Sequence, residues 1–228
     1  MLPVATNLRN VRIPWVTYAI AAGDTVIHLL VTWNTNFTIS DSIASTFGFV
    51  PASISNLNIS AIPTLVTSMF LHGDLLHLVG NMVFLLVFGR QVEIQFEKLN
   101  FLAFYLTAGI TACLAHTLME PDSTTPLIGA SGAISGVLGA FFVCNPRARI
   151  TLVLEPILIY FLCRLWVRVP AWIFLPAWFF LQLSMALKPH GSNVAFWAHV
   201  GGFVGGMIMA IAVYNYMPRK NCSPRQPI

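Results

Sequence analysis

Residues 129–144 read Gly-Ala-Ser-Gly-Ala-Ile-Ser-Gly-Val-Leu-Gly-Ala-Phe-Phe-Val-Cys and end at Asn145-Pro146. The run has no charged residue. Gly132 and Gly136 form a small-xxx-small pair, the pattern that lets helix backbones approach closely inside a membrane. From Ser131 to Cys144 there are 14 residues, about 21 Å as a helix. That is less than the roughly 30 Å of a hydrocarbon core. If the inner end reaches the cytoplasmic interface, Ser131 lies about 10 Å below the outer one.

Five more apolar segments flank this one, at 13–33, 75–95, 100–119, 170–187 and 194–214. They predict an all-α, polytopic membrane bundle of six transmembrane helices. Of the 228 residues, 57% are apolar and 9% charged, against about 25% charged in a soluble domain. No room remains for a separate soluble domain. The expected division is a tail over 1–12, a membrane domain over 13–214 and a tail over 215–228. The stretch 150–166 is also apolar, but Arg164 and Arg168 interrupt it, and it reads as an interfacial segment. Residues 34–73 carry one charge, Asp41, and read as a long loop with short amphipathic pieces on the membrane. Lysine and arginine cluster before the first segment, after the second and fourth, and at the C-terminal end. The positive-inside rule then puts both termini in the cytoplasm. No cleavable signal is evident, and the compact core points to a bacterial inner membrane. The basic residues form no patch with interleaved aromatics, which argues against nucleic-acid binding. The four cysteines show neither metal-ligand spacing nor a disulfide framework.

Polar groups inside a bilayer are costly and need a reason. His77 and Asn81, four apart, share a helix face at the start of the second segment. Ser131 opens the fourth. His199 opens the sixth, followed by the pair Gly202 and Gly206. All three helices run inward under the charge rule, so these four side chains should share one depth. Taken singly, Ser131 is a packing residue and the others are interhelical glue. Together they place a hydroxyl beside an imidazole, the arrangement that activates a serine. A backbone N–H at the start of the fourth helix, with His77 and Asn81, could stabilise an oxyanion. Asp24 and His28 read as a hydrogen-bonded pair facing another helix, or a polar spot reached by water; the competing reading is a proton path. His116 reads as structural or interfacial. Glu93 and Glu97, near Arg90 and Lys98, read as a solvated charge cluster.

Gly-x-Ser-Gly at 129–132, the His72 to Asn81 stretch and Ala-His-x-x-Gly at 198–202 fall on the second, fourth and sixth helices. In this order the chain resembles the rhomboid family of intramembrane serine proteases over essentially its whole length. The resemblance implies a Ser131–His199 dyad with no acidic third member. It implies an oxyanion site from the Ser131 N–H, His77 and Asn81, with His72, Gly129 and Gly132 beside it. It implies single-pass membrane proteins as substrates, cut near a small residue, with no metal or other cofactor. Two departures stand out. Some members carry an aromatic residue where Ser135 stands, packed against the catalytic histidine, and some carry Trp-Arg in the first loop, where 34–73 has no arginine. The alternatives are an inactive rhomboid-like protein that binds membrane helices, and a proton-coupled transporter using Asp24 and His28.

Overall fold

In lipid a chain must satisfy its own backbone N–H and C=O groups, and all six apolar segments are helical. The computed structural model describes residues 2–8, 12–153, 166–188 and 194–216. Cys163, Arg164 and the rest of the 154–165 stretch, and the tail from 217 with Cys222, lie outside the described residues. The helices are α1 (Trp15–Thr32), α2 (Leu75–Phe96), α3 (Lys98–Met119), α4 (Ser131–Cys144), α5 (Ala171–Ala186) and α6 (Phe196–Tyr216). Those long and apolar enough to cross a membrane are α1, α2, α3 and α6. Val26, Leu30, Leu114, Phe180 and Ile208 face outward from the bundle. Such exposure suits lipid rather than water.

α4 is the short helix, 14 residues long. It is also the central one: Ala133 to Phe141 are all buried. A helix surrounded by other helices need not match the bilayer's thickness itself. It packs on α3 and α6 with almost no side chain between. A Cβ on Gly202 would collide with the Gly132 carbonyl oxygen, and one on Gly206 would lie 2.5 Å from the Gly136 Cα. α3 meets them at the same junction: a Cβ on Gly132 would lie 2.7 Å from the Ala112 Cβ, and one on Gly202 3.3 Å from it. The two glycine pairs thus fit backbone against backbone.

The segment between α1 and α2 folds into short helical pieces, among them Asp41–Phe47, Pro51–Ser55 and Thr64–Thr67. The sequence reading left out an antiparallel sheet of β1 (Leu2–Thr6), β2 (Arg149–Val153) and β3 (Trp166–Pro170), in the order β1-β2-β3. Val153 pairs with Trp166 and Arg149 with Pro170. The ends of the 150–166 stretch are therefore a two-stranded ribbon, and residues 2–6 of the expected tail are its third strand.

Glu93 corrects the solvated-cluster reading. It is buried, and its carboxylate accepts the backbone N–H of Val16 (3.0 Å) and of Thr17 (2.7 Å), and the Thr17 hydroxyl (2.7 Å). The first N–H groups of a helix have no partner of their own, and the helix dipole favours an anion there. Pro14 at the N-cap of α1 offers no side-chain cap; Glu93 of α2 supplies it.

The backbone seam makes a paired prediction. Gly206→Ala must push α4 and α6 apart and should cost about 1–3 kcal/mol, as overpacking does. Gly23→Ala on α1, where a Cβ meets nothing within 4 Å, should instead stabilise by about 0.5–1 kcal/mol. Thermal unfolding in one detergent compares the two; equal effects would refute the seam.

Candidate active site

Four local devices bring the polar residues to one end of the bundle. Asp74 is the N-cap of α2, and its Oδ1 accepts the His77 N–H at 2.7 Å. This fixes His77 in the first turn. The Gly73 N–H donates to His77 Nδ1 at 3.3 Å, so the ring proton belongs on Nε2. The Gly129 N–H donates to the Ser68 carbonyl at 2.9 Å, and Phe49 and Leu127 exchange backbone bonds. These hold the approach to α4 against the long loop. Gly129 then turns with φ +118°, and a Cβ there would lie 2.8 Å from His77 Cε1 and Nε2. Glycine is required on both counts. Ser131 follows as the first residue of α4, so its N–H is one that the helix leaves without an intrahelical partner.

The structure brings Ser131 and His199 together across the α4–α6 seam. Ser131 Oγ lies 2.9 Å from His199 Nε2. His199 Nδ1 lies 2.8 Å from Gln182 Oε1, on α5. Trp178 of α5 tilts at 33° to the imidazole with ring centres 6.3 Å apart, and Phe196 meets it edge-on at 6.1 Å. Ser135 turns away: its hydroxyl donates to the Ser131 carbonyl at 2.7 Å. Rings from α5 and α6 thus stand where the sequence lacks an aromatic on α4.

His77 Nε2 points toward Gly129, next to Ser131. Asn81 is buried one turn further along α2, and its Nδ2 donates to the His77 carbonyl at 3.0 Å. His72 is fully buried with its ring 5.3 Å from that of His77. Burial above all, with His77 and His28 nearby, pushes its pKa down to about 3, so it is a neutral ring. Asp24 and His28 are both fully buried, so water at the surface does not reach them, and they are not bonded to one another. His28 instead lies 6.5 Å from His72, ring to ring. His116 is buried on α3, 3.7 Å from Glu120. Among the described residues no cluster of His, Cys, Asp and Glu could hold a metal ion, and Cys113 and Cys144 are both buried, neither in a disulfide.

A cleft opens beside Ser131, with about 350 Å³ of empty space including its mouth. Its lining includes Met69, Gly109, Ala112, Leu127 and Ala198, small or apolar side chains. The arrangement can do acyl chemistry. The Ser131 hydroxyl lies within hydrogen-bonding reach of an imidazole nitrogen, the pairing through which a base takes a serine's proton. The Ser131 N–H at a helix N-terminus, with the His77 Nε2–H, offers donors to a developing negative charge.

The sequence reading missed Gln182. The signal was present, since an uncharged amide in the apolar run 170–187 is a polar group in the membrane.

Residues 60–216 match the family model described as "Rhomboid domain". Over 171 residues the chain is 28% identical to "RHOMBOID-like protein 5" of Arabidopsis thaliana, covering 70% of this chain and 48% of the relative. It is 30% identical over 150 residues to "Rhomboid-like protease 3" of Toxoplasma gondii, covering 66% and 51%. It is 31% identical over 152 residues to "Rhomboid protease GluP" of Bacillus subtilis (strain 168), covering 65% and 25%. The chain thus spans about half or less of the length of these curated relatives.

The geometry predicts the reactivity of one hydroxyl. A fluorophosphonate should label Ser131 alone, and His199→Ala should slow labelling by at least about 100-fold, the usual worth of a positioned base. Peptide mapping of the adduct checks both; equal labelling in His199→Ala would break the pairing.

Proposed function

The chain belongs to the rhomboid family, and from that we propose that it is an intramembrane serine endopeptidase acting through Ser131 and His199. The observation that carries this reading is the 2.9 Å contact between Ser131 Oγ and His199 Nε2, made within a helical bundle whose surface is apolar.

In the proposed reaction, Ser131 Oγ attacks the scissile carbonyl as His199 Nε2 takes the hydroxyl proton. The Ser131 N–H and the His77 Nε2–H bind the oxyanion, and Asn81, one turn along α2, completes that side. His199 then gives its proton to the leaving amine. Water deacylates the serine by the same steps in reverse order, with His199 again as base. No metal or other cofactor enters. The small, apolar lining of the cleft supports substrates with a small residue at the cut, and the surrounding apolar surface supports single-pass membrane proteins as their class. The placement of Arg12, Arg90, Lys98 and Arg147 at the end of the bundle away from Ser131 supports cytoplasmic termini. By this reading the site opens to the other face, in a bacterial inner membrane. The domain occupies 13–214.

Ser131→Ala and His199→Ala should each reduce cleavage of a transmembrane reporter by at least about 1,000-fold, with both proteins still accumulating in the membrane. The measurement is product release from reporter and enzyme reconstituted in the same vesicles. Cleavage by both variants at the wild-type rate would sink the reading.

A further inference from the structure

We propose that Gln182 is a positioning residue for His199: its side-chain carbonyl accepts the imidazole's Nδ1–H, and so keeps Nε2 free to take the Ser131 proton. The inference rests on the Ser131–His199 reading above and adds to it the group that holds the base.

A neutral imidazole carries one proton on either ring nitrogen, and only the Nδ1–H form leaves Nε2 able to accept. The choice is set by what the other nitrogen meets. Here Nδ1 faces Gln182 Oε1 at 2.8 Å, and a carbonyl oxygen can only accept. The proton is thereby drawn to Nδ1, and Nε2 presents its lone pair to Ser131 Oγ at 2.9 Å. The remaining neighbours do not make that choice. Trp178 and Phe196 meet His199 through ring faces and edges, which restrain its tilt and offer Nδ1 no acceptor. Ser135 spends its hydroxyl on the Ser131 carbonyl. The other titratable groups facing His199 are the imidazoles of His77 on α2 and His116 on α3, and neither is bonded to it. Gln182 thus does with an uncharged oxygen what a buried carboxylate does in a three-membered serine site. In an apolar bundle the amide has an advantage, for it brings no charge that must be desolvated.

The test has a structural arm and a kinetic arm. In protein carrying nitrogen-15 histidine, His199 is assigned by the signal lost in His199→Ala. Wild type should show Nδ1–H with an unprotonated Nε2, and Gln182→Leu should shift His199 toward the Nε2–H form. In the kinetic arm, Gln182→Leu should slow fluorophosphonate labelling of Ser131 by about 10- to 100-fold, part of the worth of a positioned base. Gln182→Glu keeps an acceptor oxygen and should recover most of that rate. The ionised carboxylate of the Gln182→Glu variant would also favour the imidazolium, so the acid limb of the labelling profile should move to higher pH. The proposal is overturned if wild-type His199 is in the Nε2–H form. It is overturned equally if Gln182→Leu labels at the wild-type rate, or if Gln182→Glu is as slow as Gln182→Leu with an unmoved acid limb. Should Gln182→Leu fail to fold, the wild-type tautomer alone decides. If wild-type Ser131 resists labelling while His199 shows Nδ1–H, the dyad reading fails and the Gln182 contact is a structural bond only.

Discussion

The backbone contact between α4 and α6 is the constraint on which the rest of the arrangement depends. Ser131 and His199 are each in the first turn of their helix, just beyond the glycines where the helices touch. The Gly132 and Gly136 carbonyls occupy the space that side chains at Gly202 and Gly206 would need. The separation of the two helices is therefore set by main-chain atoms, and the 2.9 Å contact follows from it. α3 enters the same junction through Ala108 and Ala112, whose Cβ atoms lie against Gly136 and Gly132. With small residues where the three helices meet, and Ala133 to Phe141 all buried, α4 becomes a central strut, and its length ceases to matter to the bilayer.

Around that strut, charged side chains are used to begin helices. Asp74 caps α2 and places His77 in its first turn. Glu93, on the same helix at the other end of the bundle, caps α1 through Val16 and Thr17. Each carboxylate answers backbone N–H groups that lipid could not solvate. By contrast α4 begins at Ala130, which has no side chain able to cap. The N–H groups at its start therefore have no side-chain cap, and under the proposed reaction they face the oxyanion. The absence of a cap there is as much a part of the site as the presence of one at Asp74.

The sequence made the six helices legible because each is a sustained apolar run, although among them only α1, α2, α3 and α6 are long and apolar enough to cross a membrane. It also made Ser131, His199, His77 and Asn81 legible, because the direction of each helix converts position along the chain into depth. It did not disclose the sheet, since Leu2–Thr6 and Arg149–Val153 acquire meaning only by pairing with each other across the whole chain. Glu93 was misread for a related reason. Its neighbours Arg90 and Lys98 suggested solvent, whereas its true partners lie 76 and 77 residues away. Gln182 was missed, because which helix face meets His199 depends on how α5 leans on α6. Asp24 and His28 turned inward without bonding to one another, which four-residue spacing alone could not show.

The sheet also bears on the order in which the chain can assemble. β1 is made before its partner β2, which starts at Arg149 after four of the six helices. The cap on α1 likewise waits for α2 to bring Glu93 to it. Until β2 and the end of α2 follow, β1 and the start of α1 lack the partners they have in the folded chain. Contacts of such long sequence separation form late, because their loop-closure entropy is met only once intervening structure has shortened the gap. The closing of β1 onto β2 thus marks a bundle in which the helices bearing His77 and Ser131 are already in place.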